Sequence, residues 1–384
     1  MKTLTWPQVN AWRLSQHSLS PRLNLPDFLT AVTRTGGIQA QVMSAAELAL
    51  WARADELTPK DVQSALWQDR TLVKTWAMRG TLHLLTARNL PLYVAARSMH
   101  DDRNWLGYFT YYGITPAQYD AFIAAVPHVL GGEPMTREQL STTVARHIGA
   151  PELGKLLLSS SWGSLWKPSA LRGDLCFGPN QGRNVTFVNP SRWLSLNAKQ
   201  NGQPLDPHLA LQEIARRYLH TYGPATPQDF ARWWDGSSRL LAAKKLFHSL
   251  ENELEAVDVE GWPAFALRTT LGPMQEHELS GSVNLLPLFD AYVLGGGRDI
   301  EQLLPKAYKS RVFRPQGWIS AVVLVDGYMK GVWEHKSQRG QTIVKVRMFS
   351  PSSLTASVRN GIEAEAERLS AFLNAKVIVE YEDN

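Results

Sequence analysis

Two glutamines near the N-terminus have the residue type and the spacing to hold one small polar group from two directions. Gln39 and Gln41 flank a single alanine in the segment 36–42, Gly-Gly-Ile-Gln-Ala-Gln-Val. In extended chain, side chains at positions i and i+2 point to the same side, so the two amides could together bind one water or one polar substrate group. Spacing alone favours two surface or helix-capping glutamines, and the functional interpretation depends on the rest of the chain.

A helix start follows the glutamine pair closely. Residues 44–47, Ser-Ala-Ala-Glu, match a capping box, in which a hydroxyl and an acidic side chain satisfy the first backbone amides of a helix. This pattern predicts a helix that begins at about Ser44. Gln39 and Gln41 are therefore predicted to lie in an extended segment that leads into the helix.

The composition is that of a globular protein with more than one core. A chain of 384 residues predicts two or three subdomains, and 44% hydrophobic with 20% charged residues is typical of soluble proteins. The net charge of +5 is compatible with a polyanionic partner without identifying one. Cys176 is the only cysteine, which excludes an internal disulfide and a cysteine-based zinc site and suits a reducing compartment.

Targeting and metal-binding patterns are not found. The N-terminus has no apolar signal region, and no stretch reaches the roughly 18 apolar residues that span a bilayer. The ten histidines show no metal-ligand spacing. We expect a cytoplasmic protein that uses neither a metal nor a cofactor.

Four further helix starts have a threonine followed three residues later by glutamine or aspartate. They are at Thr58, Thr115, Thr136 and Thr226, and three of them have proline at the first helical position. After Thr136, the pattern predicts a helix over 136–147, a second within 153–171 that is broken or bent near Pro168, and strands at 174–178 and 184–188. Helix, turn, helix and hairpin in this order are typical of a winged helix.

The same order recurs elsewhere. Helices are predicted at 208–222, 227–234 and 237–251, before a hairpin of strands 254–259 and 263–267. A less distinct unit has a helix at 59–67 and strands at 73–78 and 81–85. We therefore predict an α+β fold of three tandem winged-helix units, over residues 1–110, 111–200 and 201–283.

A small α+β unit is predicted over residues 284–384. Strands at 318–325 and 328–333 flank Asp326-Gly327, a strong hairpin signal. A strand at 341–349, an amphipathic helix at 353–375 and a strand at 377–381 follow.

Four segments of the chain together carry a further signal: 37–41, 78–83 (Met-Arg-Gly-Thr-Leu-His), 285–290 (Leu-Leu-Pro-Leu-Phe-Asp) and 318–333. With these segments the chain resembles one known family, the winged-helix DNA glycosylases of the AlkZ type, bacterial enzymes that unhook alkylated bases and interstrand crosslinks. The catalytic motif of that family is glutamine, apolar residue, glutamine, and a sister branch has aspartate in place of the second glutamine. With Gln39 and Gln41, the chain resembles the first branch.

The resemblance implies a monofunctional DNA glycosylase that hydrolyses the N-glycosidic bond of N7-alkylated purines. N7 alkylation places positive charge on the base, so a general acid is unnecessary, unlike at ordinary glycosides. Gln39 and Gln41 would position the water and stabilise the cationic sugar. The implied partner is double-stranded DNA that contains alkylated or crosslinked bases. We expect the protein to be a monomer and to have no membrane partner.

Candidate DNA contacts are polar or cationic residues near predicted wings and turns, because backbone phosphates supply most non-specific affinity. Any single arginine among them is more simply interpreted as a solvated surface charge. His83 is more simply interpreted as a structural histidine that is hydrogen-bonded inside the protein. The three residues of the 180–183 hairpin tip fit an ordinary exposed turn about as well, and Arg298 follows a glycine run, 295–297, that could approach a phosphate. The candidates are Arg79, His83, Lys167, Arg172, Asn180, Gln181, Arg183, Arg298, Lys309, Arg311 and Arg314.

Two other functions remain open at the level of sequence. One is a non-catalytic winged-helix DNA-binding protein, such as a transcriptional regulator. The other is a glycosylase-like protein that binds damaged DNA without cutting it. A regulator is usually a short symmetric dimer with one winged unit, whereas this chain is long and has several.

Overall fold

The chain forms two compact units. The computed structural model describes residues 2–99, 103–194, 205–236, 239–296, 298–338 and 340–382. The terminal unit contains both ends of the chain, Met1–Val62 and Ala215–Asn384, and the central unit is Gln63–Ile214. The finer division into four domains, with boundaries after residues 110, 200 and 283, stays a prediction from the sequence.

The N-terminal part of the terminal unit is mostly helical. Its first helix is capped by Thr5, whose hydroxyl accepts from the Gln8 amide while the Gln8 side chain accepts from the Thr5 amide. The elements in order are β1 Lys2–Leu4, α1 Trp6–Gln16, α2 Phe28–Arg34, β2 Ile38–Gln39, α3 Met43–Trp51 and α4 Pro59–Trp67.

The central unit combines helices with two antiparallel hairpins. Its core is aromatic: Trp76, Phe122, Trp166 and Phe187 are buried together. Strands β3 and β4 pair with each other, and β5, β7 and β6 form a three-stranded sheet in that order. The elements are β3 Leu72–Trp76, β4 Leu82–Thr86, α5 Leu90–Arg97, α6 Arg103–Tyr111, α7 Pro116–Val129, β5 Met135–Thr136, α8 Arg137–His147, α9 Leu153–Ser159, α10 Lys167–Leu171, β6 Cys176–Gln181, β7 Asn184–Val188 and α11 Pro190–Trp193.

The C-terminal part of the terminal unit holds its two sheets. Strands β1, β8 and β9 form one, and β10 to β14 form the other in sequential order. Helix α18 packs on the second sheet through Val358, Ile362 and Leu369. The elements are α12 Pro207–Tyr222, α13 Pro227–Asp235, α14 Leu240–Ser249, β8 Leu254–Val259, β9 Trp262–Leu267, α15 Arg268–Glu276, β10 Val283–Leu286, α16 Ala291–Gly295, α17 Lys309–Val312, β11 Val322–Val325, β12 Tyr328–Gln338, β13 Gln341–Met348, α18 Ala356–Leu373 and β14 Lys376–Tyr381.

The mixed α and β content predicted from the sequence is confirmed, and the threonine-capped helix starts are found where expected. Thr115, Thr136 and Thr226 each form a reciprocal capping box with the residue three positions later. The Thr58 amide and hydroxyl both donate to the Asp61 carboxylate. These starts are predictable because each depends on four consecutive residues.

Two local predictions are wrong. The helix after the glutamine pair begins at Met43, with Val42 as an N-cap that has no side-chain capping bond, so Ser44 is not the cap. The break between α9 and α10 comes at Ser160, whose extended ψ of 128° ends α9, rather than at Pro168. Pro168 lies in the first turn of α10, where proline costs no hydrogen bond. The helix predicted over 237–251 is seen at Leu240–Ser249, and residues 237 and 238 lie outside the described residues.

The hairpin predicted at Asp326-Gly327 is confirmed. Both residues have positive φ, 49° and 80°, as a type I′ turn requires. The turn is held by the rest of the terminal unit: the Asp326 carboxylate accepts from the Ser282 amide, and the Gly327 carbonyl accepts from the Tyr292 hydroxyl. A β-carbon on Gly327 would lie 2.7 Å from Asn10, so glycine is needed here for space as well as for φ.

One fully buried ion pair joins the end of α3 to the segment after β10. The Arg53 guanidinium donates to both carboxylate oxygens of Asp290, at 2.7 and 2.8 Å, and both side chains have no solvent exposure. Arg53 also donates to the Ala49 carbonyl, and Asp290 caps α16 by accepting from the Tyr292 amide. Phe289, just before the aspartate, has a φ of 59°, which is unfavourable for a non-glycine residue. The Arg53–Asp290 pair therefore holds residues 285–290, one of the four segments that carry the family resemblance, in a constrained conformation.

Removing one member of this pair should destabilise the protein strongly. Asp290→Ala leaves a buried guanidinium without its carboxylate, which costs about 3–5 kcal/mol. We expect the transition of the terminal unit in calorimetry to move to much lower temperature. Replacing both residues, Arg53→Met with Asp290→Leu, should recover much of the loss.

The control for this prediction is an exposed pair. Glu255→Ala removes the partner of Arg268 at the surface and should cost less than about 1 kcal/mol. An Asp290→Ala protein that unfolds no earlier than Glu255→Ala would contradict the proposed role of the buried pair.

Candidate active site

The glutamine pair follows a tightly ended helix. After α2, Gly36 and Gly37 have φ values of 74° and 115°, which a side chain would disfavour. The Gly37 amide donates to the Val32 carbonyl at 2.9 Å, closing the helix end. Strand β2 starts at the next residue, so the two glycines turn the chain from the helix into the extended conformation of Ile38 and Gln39.

The two glutamines differ in exposure. Gln39 is buried, with 7% of its surface exposed, whereas Gln41 is exposed. Ile38 and Ala40 are fully buried and anchor the segment in the core. The extended conformation predicted for the whole pair ends at Gln39, and Gln41 lies in a bend before α3. One amide is thus held inside the protein, and the other is presented at the surface.

Helix α12 holds the chain just before the motif. The Tyr222 hydroxyl donates to the Thr35 carbonyl and the Thr221 hydroxyl to the Arg34 carbonyl, both at 2.7 Å. The Tyr222 ring stacks on Tyr218, with centroids 5.0 Å apart. A β-carbon on Gly295 would lie 1.9 Å from this ring, so the end of α16 must be glycine for Tyr222 to occupy its place.

A cavity of about 750 Å³ opens in the terminal unit directly after the glutamine pair. Val42 and Ser44, one and three residues beyond Gln41, line it. One wall is apolar and includes Ala45, Leu48, Leu288, Ala321 and Trp333. The buried Trp333 indole donates to the Leu286 carbonyl at 2.8 Å, so this wall is fixed.

Another part of the cavity lining, here called the cationic wall, is basic. It contains four cationic side chains, Arg311, Arg314, Lys345 and Arg347, and two carboxylates, of Glu334 and Glu382. Glu382 accepts from Lys345 at 2.9 Å and from Arg347, and the hydrogen bond from Lys345 lowers the pKa of Glu382. Burial lowers the pKa of His335 below its usual value, so this histidine adds no charge at neutral pH. The wall is therefore net positive and suited to an anion.

The other predicted contacts in the terminal unit already have partners. The Arg298 guanidinium lies over the Phe313 ring at 4.7 Å, and Lys309 forms an ion pair with Asp299. The glycine run before Arg298 is not the expected loop: Gly295 belongs to α16, Gly296 is buried, and Gly297 lies outside the described residues.

In the central unit, Arg79 and His83 lie together. His83 is 2% exposed, and its Nδ1 lies 2.9 Å from the Thr81 carbonyl oxygen, which can only accept, so Nδ1 carries the proton. Nε2 accepts from the Arg79 guanidinium at 3.4 Å. Burial, followed by the positive charge of Arg79, lowers the pKa of His83 to about 3. His83 is neutral at physiological pH and orients Arg79.

The remaining candidates in the central unit lie in two places. Asn180, Gln181 and Arg183 are exposed at the tip of the β6–β7 hairpin. Arg172 is half exposed and lies 3.8 Å from Asp174. Lys167 is partly buried at the start of α10, and burial lowers its pKa.

Three basic residues of the cavity lining were missed at the sequence level: His335, Lys345 and Arg347. The spacing of Lys345 and Arg347 carries a signal, because positions i and i+2 of a strand share a face. The reason for their side-chain arrangement is not local, since Glu382, which binds both, is more than thirty residues away.

The state of His83 can be tested by pH titration. We expect its ring proton shifts in NMR to stay constant from pH 8 to pH 5, because its pKa lies far below that of a free histidine. In the unfolded chain the His83 ring takes up a proton below about pH 6.5, whereas in the folded protein it stays neutral. The contribution of His83 to the free energy of unfolding is therefore complete above about pH 6.5 and is lost as the pH falls below it. Arg79→Met should raise the pKa, and a wild-type midpoint near pH 6.5 would contradict the buried neutral assignment.

Comparisons with known proteins agree on one family. The model of the AlkZ-like DNA glycosylase family matches residues 32–372. The interstrand DNA cross-link repair glycosylase of Streptomyces sahachiroi is 37% identical over 336 residues, which are 86% of this chain and 88% of the relative. The solved structure of the Streptomyces sahachiroi DNA glycosylase AlkZ superposes with a TM-score of 0.87 at 34% identity, covering 100% of both chains.

These matches span nearly the whole chain, including the glutamine motif and the segment around Asp290. The protein is accordingly an enzyme that hydrolyses N-glycosidic bonds in DNA. The chain belongs to the AlkZ-like family of DNA glycosylases.

Proposed function

We propose that this DNA glycosylase releases N7-alkylated purines from double-stranded DNA and unhooks interstrand crosslinks. The relative of 37% identity is described as an interstrand DNA cross-link repair glycosylase, which supports the second activity. The observation that carries the proposal is the arrangement of the motif. A buried Gln39 amide and an exposed Gln41 amide adjoin residues that line a cationic cavity.

The leaving group determines how large a rate enhancement the enzyme must supply. An N7-alkylated purine already carries positive charge, so its departure neutralises the base and requires no proton donor. A glutamine amide cannot remove a proton from water at neutral pH. The attack therefore comes late, on a sugar that already has most of its oxocarbenium character. After the bond to C1′ has formed and the neutral base has left, the attached water releases its proton to bulk solvent.

Gln39 and Gln41 would then have two tasks. Their amide oxygens accept hydrogen bonds from the attacking water, which supplies the proximity contribution. The same oxygens present the negative ends of their dipoles to the developing sugar cation. Because Gln39 is held by the core, its dipole needs no reorganisation during the reaction.

An exposed amide also suits a crosslinked substrate. A base that is tied to the opposite strand cannot rotate freely into a deep pocket, so the attacking groups must reach it near the surface. The exposure of Gln41 supports this mode of access.

We also propose that the helix–helix–hairpin order in both units represents winged helices that track the DNA backbone. The exposed tip of the β6–β7 hairpin, with Asn180, Gln181 and Arg183, is suited to a groove. Arg311 and Arg314 at the cavity, and Arg79 with its neutral partner His83, would bind phosphates. We expect a cytoplasmic monomer, and none of the helices in the described part of the chain is long and apolar enough to cross a membrane.

Single-turnover release of 7-methylguanine from a defined duplex tests the catalytic assignment. Gln39→Ala should slow release by about 10²–10³-fold, as loss of one preorganised polar group does in other active sites. Gln41→Ala should also slow release, by about tenfold or more, because one of two water-positioning groups is lost. Duplex affinity should change little in either variant.

Two matched variants make this test specific. Gln41→Asp replaces the amide by a carboxylate that can still hold the water, and we expect it to retain activity. Gln302→Ala changes an exposed glutamine of the same unit outside the motif and should have no effect. Parallel losses of binding and excision in the two motif variants would refute the catalytic roles, and intact binding with no excision by wild type would favour a damage-binding protein or a bulkier substrate.

A salt titration tests the hairpin tip. If Arg183 contacts a phosphate, Arg183→Ala should reduce the slope of log affinity against log salt concentration by about 0.9. Arg192→Ala, which removes another exposed arginine of the central unit, is the control. Equal slopes for wild type and Arg183→Ala would remove this residue from the interface.

A further inference from the structure

Residues 311–320, here called the cavity loop, form a turn that is closed by backbone hydrogen bonds. The Arg314 amide donates to the Trp318 carbonyl at 2.8 Å, and the Ser320 amide donates to the Val312 carbonyl at 2.9 Å. Gln316 and Gly317 at the tip have φ values of 59° and 78°. The backbone on both sides of the tip is therefore held by contacts within the loop.

Trp318 is unusual among the tryptophans of the terminal unit. Trp318 is 43% exposed, whereas Trp262 is partly buried and the others, Trp6, Trp12, Trp51, Trp233, Trp234 and Trp333, are buried. One face is supported by the Phe289 ring, with centroids 5.2 Å apart and planes tilted by 39°. A large aromatic ring that is supported on one side and exposed on the other can accept a stacked partner.

The same loop contributes two of the four cations of the cationic wall. Arg311 and Arg314 line the cavity, and the Arg311 carbonyl accepts from the Ser320 hydroxyl at 2.7 Å, which fixes the backbone there. Phe289, which supports Trp318, directly follows Pro287 and Leu288, and both of these line the cavity. The ring that supports the exposed indole is therefore adjacent in the chain to two residues that line the net positive cavity.

We propose that the cavity loop binds one unpaired nucleotide of DNA, with Trp318 stacked on the base and Arg314, together with Arg311, bound to its phosphate. An aromatic face beside arginines is the chemistry that recognises single nucleotides in a strand without reading their sequence. A planar guanidinium matches phosphate oxygens in a bidentate way. The cationic wall favours DNA over an acidic protein surface, because the same cavity is also lined by apolar side chains that can accept a base.

The inference rests on the proposed function, since excision is what creates an unpaired nucleotide. Extruding or removing a purine leaves the opposite base without a partner. A stacking platform would stabilise that opened state and so favour damaged over intact duplex. Trp318 and Arg314 are binding residues in this scheme, and neither takes part in the chemical step.

The test compares two duplexes that each contain one 2-aminopurine in the same strand sequence. This base is paired in the first duplex and unpaired in the second, and each duplex is titrated with the full-length protein. Wild type should bind the second duplex at least about fivefold more tightly and quench its fluorescence by stacking. Trp318→Ala should lose the preference and the quenching, while Trp318→Phe should keep part of both. Arg314→Ala should weaken binding of the unpaired duplex and lower its salt slope by about 0.9.

Leu241→Ala and Lys244→Ala are matched controls, because they remove an exposed apolar and an exposed cationic side chain from α14 of the same unit. Both should behave as wild type. An unchanged preference in Trp318→Ala, or an equal loss of affinity for both duplexes, would overturn the inference.

Excision of 7-methylguanine, measured on the same preparations, separates this inference from the proposed function. Excision by wild type without any preference for the unpaired duplex would refute the nucleotide site alone. A preference that depends on Trp318, without excision, would refute the proposed substrate alone.

Discussion

The buried ion pair between Arg53 and Asp290 is the interaction on which the arrangement of the active site depends. It ties the end of α3 to the segment after β10, while the start of α3 follows Gln41 directly. Asp290 also caps α16, whose last residue, Gly295, makes room for the Tyr222 ring. Tyr222 in turn holds the Thr35 carbonyl just before the motif. A buried ion pair that is excluded from solvent tolerates little displacement of its two partners. The positions of α3, the segment after β10 and α16 are therefore coupled to one another.

The proposed mechanism uses a difference in exposure between two glutamines. Gln39 is buried in the core and Gln41 is presented at the surface, so one amide would be preorganised and the other accessible. A neutral amide is a weak catalyst, and in this mechanism it suffices only because an alkylated purine is already a good leaving group. The proposed enzyme would thus match modest catalytic groups to an activated substrate and spare undamaged DNA, whose neutral bases leave slowly.

Cationic residues are abundant, but their partners decide which of them can serve DNA. Lys309 is paired with Asp299, Arg298 covers Phe313, and Arg311 lies over the Tyr308 ring, while Arg311 and Arg314 also line the cavity. Lys345 and Arg347 share the single carboxylate of Glu382, which leaves excess positive charge on the same wall. Side-chain pairing, more than the count of basic residues, shapes the electrostatic surface.

The sequence by itself determined the features that depend on a few neighbouring residues. The capping boxes at Thr115, Thr136 and Thr226 and the Asp326-Gly327 turn were predictable because their hydrogen bonds and φ values are local. The motif and its family resemblance were also visible in the sequence. Only the tertiary structure decided that Gln39 is buried and Gln41 exposed, that α3 begins at Met43, and that Trp318 packs on Phe289. Burial and charge pairing are set by residues far apart in the chain, and no local pattern encodes them.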